Sequence, residues 1–282
     1  DGLGGFTKQQ TRQLTGAPSN IEVEDINGDG NNDICVLSRD EESFRVDLND
    51  GHGAMTEHAV FFAGSMPGDF VLVRQKNLHH AAILGNSSNE IRLLHSSRLT
   101  TSFRPAYTYA TGLQPYSVRV ADINHDGWKD IITSNIKSKD ISVLFNDSVG
   151  QFTGSVPFGR MDASGVLSYI PKNDTIAMFI GTNPESENIS ILELNTIDFS
   201  STSLSLPTQG PAEILFAAIE PSSGHLHFTA LERDKMNTNV SLVDYEQIAS
   251  GRFVEKDVTP RITSVILSAA IFDANNDNVP DI

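Results

Sequence analysis

Three nine-residue loops carry one acidic pattern, and the distances between them constrain everything in between. They read Asp25, Asn27, Asp29, Gly30, Asp33; then Asp122, Asn124, Asp126, Gly127, Asp130; then Asp273, Asn275, Asp277, Asn278, Asp281. Their starts are separated by about two and about three multiples of a period near 48 residues, in the range that marks propellers and solenoids. A large apolar residue opening a strand-like run recurs with the same period, at Phe6, Met55, Phe103, Phe152, Phe199 and Phe253. Each unit therefore holds four short strand-like segments, the first before the loop position and three after it, with no amphipathic run long enough for a helix.

Oxygen-bearing side chains at positions one, three, five and nine of a tight turn suit one hard cation, with the carbonyl of position seven as a further ligand. This predicts three Ca²⁺ sites, in which Asn31, Trp128 and Val279 supply those carbonyls beside the Asp and Asn side chains. The sixth position must turn sharply, which Gly30 and Gly127 do at little steric cost and Asn278 tolerates. Asp, Asn and Gly also favour turns without any metal. Carboxylates at the same three offsets in three copies favour calcium. An EF-hand is excluded, because its twelfth position needs a bidentate Glu, and Val36 and Thr133 stand there instead.

Four strands per unit, joined by Gly, Asn and Asp turns, predict an all-β chain and a β-propeller of four-stranded blades. A β-sandwich has no reason to repeat four strands at a fixed period. Six blades are expected, or seven if a further stretch exists. Residues 1 to 14 supply a fourth strand, and 262 to 282 supply a first strand and loop, so the termini are expected to share a closing blade that lacks one strand. That shortfall suggests a chain excised from a longer protein, with 1–282 forming a single domain.

The formal net charge of −16 opposes binding to phosphate backbones, and no Lys/Arg stripe with interleaved aromatics is present, so nucleic acid is not an expected partner. No apolar run reaches a membrane span. Cys35 is the only cysteine and sits in an apolar run, which predicts a buried, inert thiol. Loops of this kind fill where calcium is near millimolar, which favours an extracellular or cell-surface location.

Two units, Pro18 to Gly53 and Pro115 to Phe152, share an apolar strand, a D-I-N-x-D-G-x-x-D-I loop, a strand, L-x-N-D or F-N-D, and a turn ending in Met or an aromatic. In this the chain resembles the FG-GAP/VCBS repeat family, the propeller repeats also found in integrin α chains. The loop positions Arg74 to Asn77, Pro171 to Asp174 and Glu220 to Ser223 lack the carboxylate set and are assigned no calcium. The resemblance implies that calcium braces one face while a ligand meets the opposite face, formed by the loops 39–43, 86–90, 137–140, 184–188 and 233–239.

The leading expectation is a non-catalytic, calcium-stabilised binding or adhesion module with a protein or glycan ligand. A lectin is the first alternative, with Trp128, Tyr107, Tyr109 and Tyr116 as the aromatic residues to examine. The second is the propeller of a polysaccharide lyase or sugar dehydratase, for which His79, His80, His95, His225 and His227 are the candidate bases. No H-E-x-x-H, G-x-S-x-G or G-x-x-x-x-G-K-[ST] motif accompanies them.

Overall fold

The computed structural model describes residues 14, 16–52, 54–75, 78–97, 103–148, 151–162, 164–183, 185–220, 222–234, 240–249 and 251–257. These form an all-β architecture with no helix among them. The first sheet contains β1 (Pro18–Glu24), β2 (Asp33–Ser38), β3 (Ser43–Asn49) and β4 (Met55–Phe62), and the second β5 (Pro67–Gln75), β6 (Leu78–Gly85), β7 (Glu90–Ser97) and β8 (Arg104–Ala110). The third holds β9 (Pro115–Ala121), β10 (Asp130–Asn135), β11 (Asp140–Leu144) and β12 (Val156–Phe158), and the fourth β13 (Val166–Asn173), β14 (Ile176–Thr182), β15 (Asn188–Asn195) and β16 (Ser201–Pro207). The fifth holds β17 (Ala212–Ile219), β18 (Leu226–Arg233), β19 (Val240–Ala249) and β20 (Arg252–Asp257).

Each sheet is an antiparallel meander of consecutive strands. Four strands per unit is therefore the observed arrangement in five units. The closing unit and the third acidic loop (Asp273, Asn275, Asp277, Val279, Asp281) lie outside the described residues, as do Phe6 and both termini.

Successive sheets meet face to face, and the apolar side chains of both interdigitate in the seam. Phe44 of β3 meets Phe70 of β5 and Phe103 edge-on, at centroid separations of 5.2 and 5.4 Å, which joins the first sheet to the second. Leu84, Leu93, Ile131 and Phe152 join the second to the third. Ile132, Phe158, Phe179 and Leu192 join the third to the fourth, and Ile180, Ile191, Phe228 and Tyr245 join the fourth to the fifth. Adjacent residues Ile131 and Ile132 thus enter different seams, since side chains alternate across a strand. A middle strand buried on both faces reads as a continuous apolar run, as Ile34, Cys35, Val36 and Leu37 do. Cys35 is fully buried, and burial pushes its thiol well above the ordinary range.

One expected strand start falls differently. Phe152 makes an isolated bridge to Asn146, and regular pairing resumes only at β12, which pairs Val156, Pro157 and Phe158 with Val143, Ser142 and Ile141. The chain between them runs through Gly154, which weakens a strand interior.

Phe44 is fully buried between two sheets. Phe44→Ala should lower the unfolding free energy by about 3–5 kcal/mol, read as a shift of the urea midpoint. A change below about 1 kcal/mol would mean that this seam does not hold the two sheets together.

Candidate metal loops and the opposite face

The two described acidic loops adopt the same turn. In the first, the Asp25 carboxylate accepts from the backbone N–H of Gly28 (2.6 Å), Asp29 (3.1 Å) and Gly30 (3.0 Å). In the second, Asp122 accepts from the N–H of Asp126 (3.1 Å) and Gly127 (2.9 Å). Asn27 Oδ1 and Asn124 Oδ1 accept from the N–H two residues on, at 2.9 and 3.2 Å. Asp29 and Asp126 accept from the N–H of Asn31 and Trp128, both at 2.8 Å. Gly30 and Gly127 have φ of +90° and +85°, in the region that a side chain would strain.

The ninth position anchors each loop to its sheet. Asp33 accepts from Ile26 N–H and, across the sheet, from Asn49 N–H, both at 2.9 Å. Asp130 does the same with Ile123 (2.8 Å) and Asn146 (2.9 Å). The Asn side chains return the contact, since Asn49 Nδ2 donates to Asn32 O and Asn146 Nδ2 to Lys129 O, both at 3.1 Å. Both aspartates are completely buried. Burial raises the Asp130 carboxyl to about 6; the two N–H bonds oppose this, and the charges of Asp126 and Asp122 add to it.

The donor set is all oxygen, the chemistry a hard cation takes. Among the described residues no group of three or more His, Cys, Asp or Glu converges on a common metal position. Asp29 and Asp126 instead accept from the side-chain amides of Asn27 (2.8 Å) and Asn124 (2.9 Å). These oxygens keep a second lone pair, so the residue types fit a hard cation.

Where the acidic pattern is missing, the connection shortens. Asp174 and Thr175 alone link β13 to β14, and Asn173 Oδ1 accepts from the N–H of Thr175 and Ile176, both at 2.9 Å. The fifth unit closes through Glu220, whose carboxylate accepts from Ser223 Oγ at 2.5 Å.

Acidic loops join first to second strands, whereas Arg39, Asn86 and Lys137 lie in connections from second to third strands, at the other end of each sheet. There the first strands β1, β5 and β9 border a cleft of about 550 Å³, lined among others by Asn20, Glu22, Arg39, Asp69, Ser117 and Arg119. Carboxylates bridge one first strand to the next. Glu22 accepts from Leu72 N–H (3.0 Å), while Asp69 accepts from Val118 N–H (3.0 Å), Asn20 Nδ2 (2.6 Å) and Arg119 Nη1 (3.3 Å). These N–H groups belong to strand edges left without a ladder partner, which would otherwise be unsatisfied. Burial raises the Glu22 carboxyl to about 7; the Leu72 N–H opposes this, Asp69 and Glu24 reinforce it, and Arg119 opposes it.

The aromatic residues named from the sequence are not gathered. Tyr116 lines the cleft, whereas Trp128 sits in the acidic loop beyond the far end of β9. Tyr107 and Tyr109 pack together at 6.2 Å, and Tyr109 Oη accepts from Phe152 N–H at 3.2 Å. His80 is buried against His95 and Phe152. His225 precedes β18 rather than lying in it, and it borders a separate hollow of about 330 Å³ with His227, Glu220 and Glu246. The side chain of His79 lies outside the described residues.

No family model matches the sequence, and no curated protein does either. The chain is similar in structure to a functionally unknown protein from Desulfotomaculum acetoxidans DSM 771, at 12% identity and a TM-score of 0.58, over 91% of this chain and 73% of that one. It is also similar to BBS1N, solved in complex with ARL6DN and soaked with lead, at 9% identity and a TM-score of 0.50, over 96% of this chain and 87% of that one. At these identities the likeness speaks for the fold alone.

Glu22 supplies a test of the cleft. Its folded pKa lies above its unfolded value, so its contribution to stability is present below about 4.5 and is lost as pH rises to about 7. Glu22→Gln keeps an acceptor for Leu72 N–H and removes the titration. Urea midpoints measured in chelator between pH 4.5 and 8 should fall more steeply for the parent than for the variant, and parallel profiles would contradict this burial.

Proposed function

We propose that the chain is a calcium-braced β-propeller that acts as a non-catalytic binding or adhesion module in calcium-rich extracellular surroundings, its ligand meeting the face opposite the acidic loops. The observation that carries this reading is Asp130. It is completely buried beside two further carboxylates, and among the described residues it makes no ion pair with Lys, Arg or His. A buried carboxylate without a counter-charge is costly, and a divalent cation shared with Asp122 and Asp126 would supply one. The matching hydrogen bonds around Asp33 support a second site in the first loop. Asp273, Asn275, Asp277, Val279 and Asp281 repeat the pattern and give a third.

In this reading six blades close the ring, with the two ends of the chain completing the last. The face-to-face stacking of five successive four-stranded sheets supports it. Calcium then stiffens the acidic face and holds the third strand of each loaded unit through Asn49 or Asn146. The opposite face is left to its ligand, a protein or a glycan. The mixed polar cleft between β1, β5 and β9 favours the glycan. No helix among the described residues is long and apolar enough to cross a membrane.

Thermal melting tests the metal. One site at a hundredfold excess over Kd adds about 2.7 kcal/mol, and for a domain of this size each kcal/mol raises Tm by about 2–4 °C. Millimolar calcium should therefore raise Tm by several degrees over the value in chelator. Asp122→Asn with Asp25→Asn should remove most of that rise. An unchanged Tm in the parent protein contradicts the proposal.

A further inference from the structure

Ser117 is the most informative residue of the opposite face. It is 2% exposed, it lines the cleft between β1, β5 and β9, and its Oγ is buried without a hydrogen-bond partner. Asn86 Oδ1, in the same wall, is also buried and unpartnered. Native interiors rarely leave such atoms unmet, and an explanation is owed for each. Asn86 is held there by the backbone of Gly68, since its amide occupies the space that a Cβ on Gly68 would need.

The charged groups around these two atoms are half used. Arg39 spends Nε on Pro67 O (3.3 Å), and Arg119 spends Nη1 on Val118 O and Asp69, which leaves donors on both guanidinium groups. Glu22 accepts Leu72 N–H through Oε2, which leaves Oε1. Asp69, by contrast, has two donors on each oxygen and is saturated. Two guanidinium groups and two carboxylates share the cleft, so its charge is balanced above about pH 7, where Glu22 is ionised. Neither an anion nor a cation is favoured, although the chain as a whole carries −16. Exposed Ile21 and Val166, with Tyr116, add apolar surface at the rim.

We propose that this cleft binds a neutral pyranose residue of a glycan, through ring hydroxyls that meet Ser117, Asn86, Arg39 and Glu22. Adjacent hydroxyls each donate and accept, which matches donors and acceptors interleaved over a short perimeter, while ring C–H groups suit the apolar rim. The cleft volume lies in the range of small-molecule sites. The inference rests on the opposite face being the binding face.

Saturation-transfer NMR on the whole chain in millimolar calcium tests it, with the methyl glycosides of glucose, galactose and mannose as neutral probes, and glucuronate and arginine amide as charged ones. At least one neutral glycoside should receive saturation, and Arg39→Ala should weaken its binding about tenfold or more. Ser117→Ala is the sharper variant. Removing an unpartnered hydroxyl should leave Tm unchanged or raise it, yet binding should fall. Gly68→Ala should act similarly by displacing Asn86. Binding of a charged probe alone, or glycoside binding that survives both Arg39→Ala and Ser117→Ala, would overturn the proposal. Silence on every glycoside would also overturn it, and if calcium still raised Tm the calcium-braced reading would stand without the sugar.

Discussion

Face-to-face burial of one four-stranded sheet on the next is the interaction on which the rest depends. A middle strand such as β10 sends Ile131 into one seam and Ile132 into the other, so a single sheet leaves an apolar face uncovered unless it has a neighbour on both sides. Small isolated sheets are at best marginal in water. Stability in such an array is shared between neighbours rather than held by any one unit. The seams need only apolar side chains of matching size, which leaves both ends of every sheet free to vary.

The two ends have been used differently. At one, the connection from first to second strand lengthens into an acidic loop in two described units and contracts to a two-residue turn between β13 and β14. At the other, the first strands β1, β5 and β9 approach one another with unpaired edges. The carboxylates of Glu22 and Asp69 satisfy those edges, about one repeat period from the N–H groups they accept. An arrangement that solves a backbone problem thus gathers charged and polar groups in one cleft. Asp69 is fully committed to that task, whereas Glu22 and the two arginines are only partly so.

The repeat was legible because both of its markers are local. An Asp at fixed offsets and an aromatic after a turn need no knowledge of distant residues. In the described units the fourth strands begin within two residues of the marker for the same reason, with Phe152 as the larger departure because its strand is interrupted before β12. The roles of Asn49 and Asn146 were not legible. Each closes a loop whose anchoring Asp lies 16 residues earlier, and the pairing becomes visible only when the third strand lies beside the second. Ser117, Asn86 and Glu22 give still less signal, since the three come from different sheets. The aromatic residues misled in the opposite sense, because Trp128 and Tyr116 are near in sequence yet stand at opposite ends of β9.

The single tryptophan of the chain offers the most direct test of the central claim, that the acidic loops hold a divalent cation. Trp128 occupies the seventh position of the second loop, where its indole can sensitise a luminescent trivalent ion that stands in for calcium. Titration with terbium under excitation of Trp128 should give saturable green emission that calcium displaces. Trp128→Phe should abolish the emission while calcium still raises Tm. No sensitised emission, or emission that excess calcium leaves unchanged, would contradict the account.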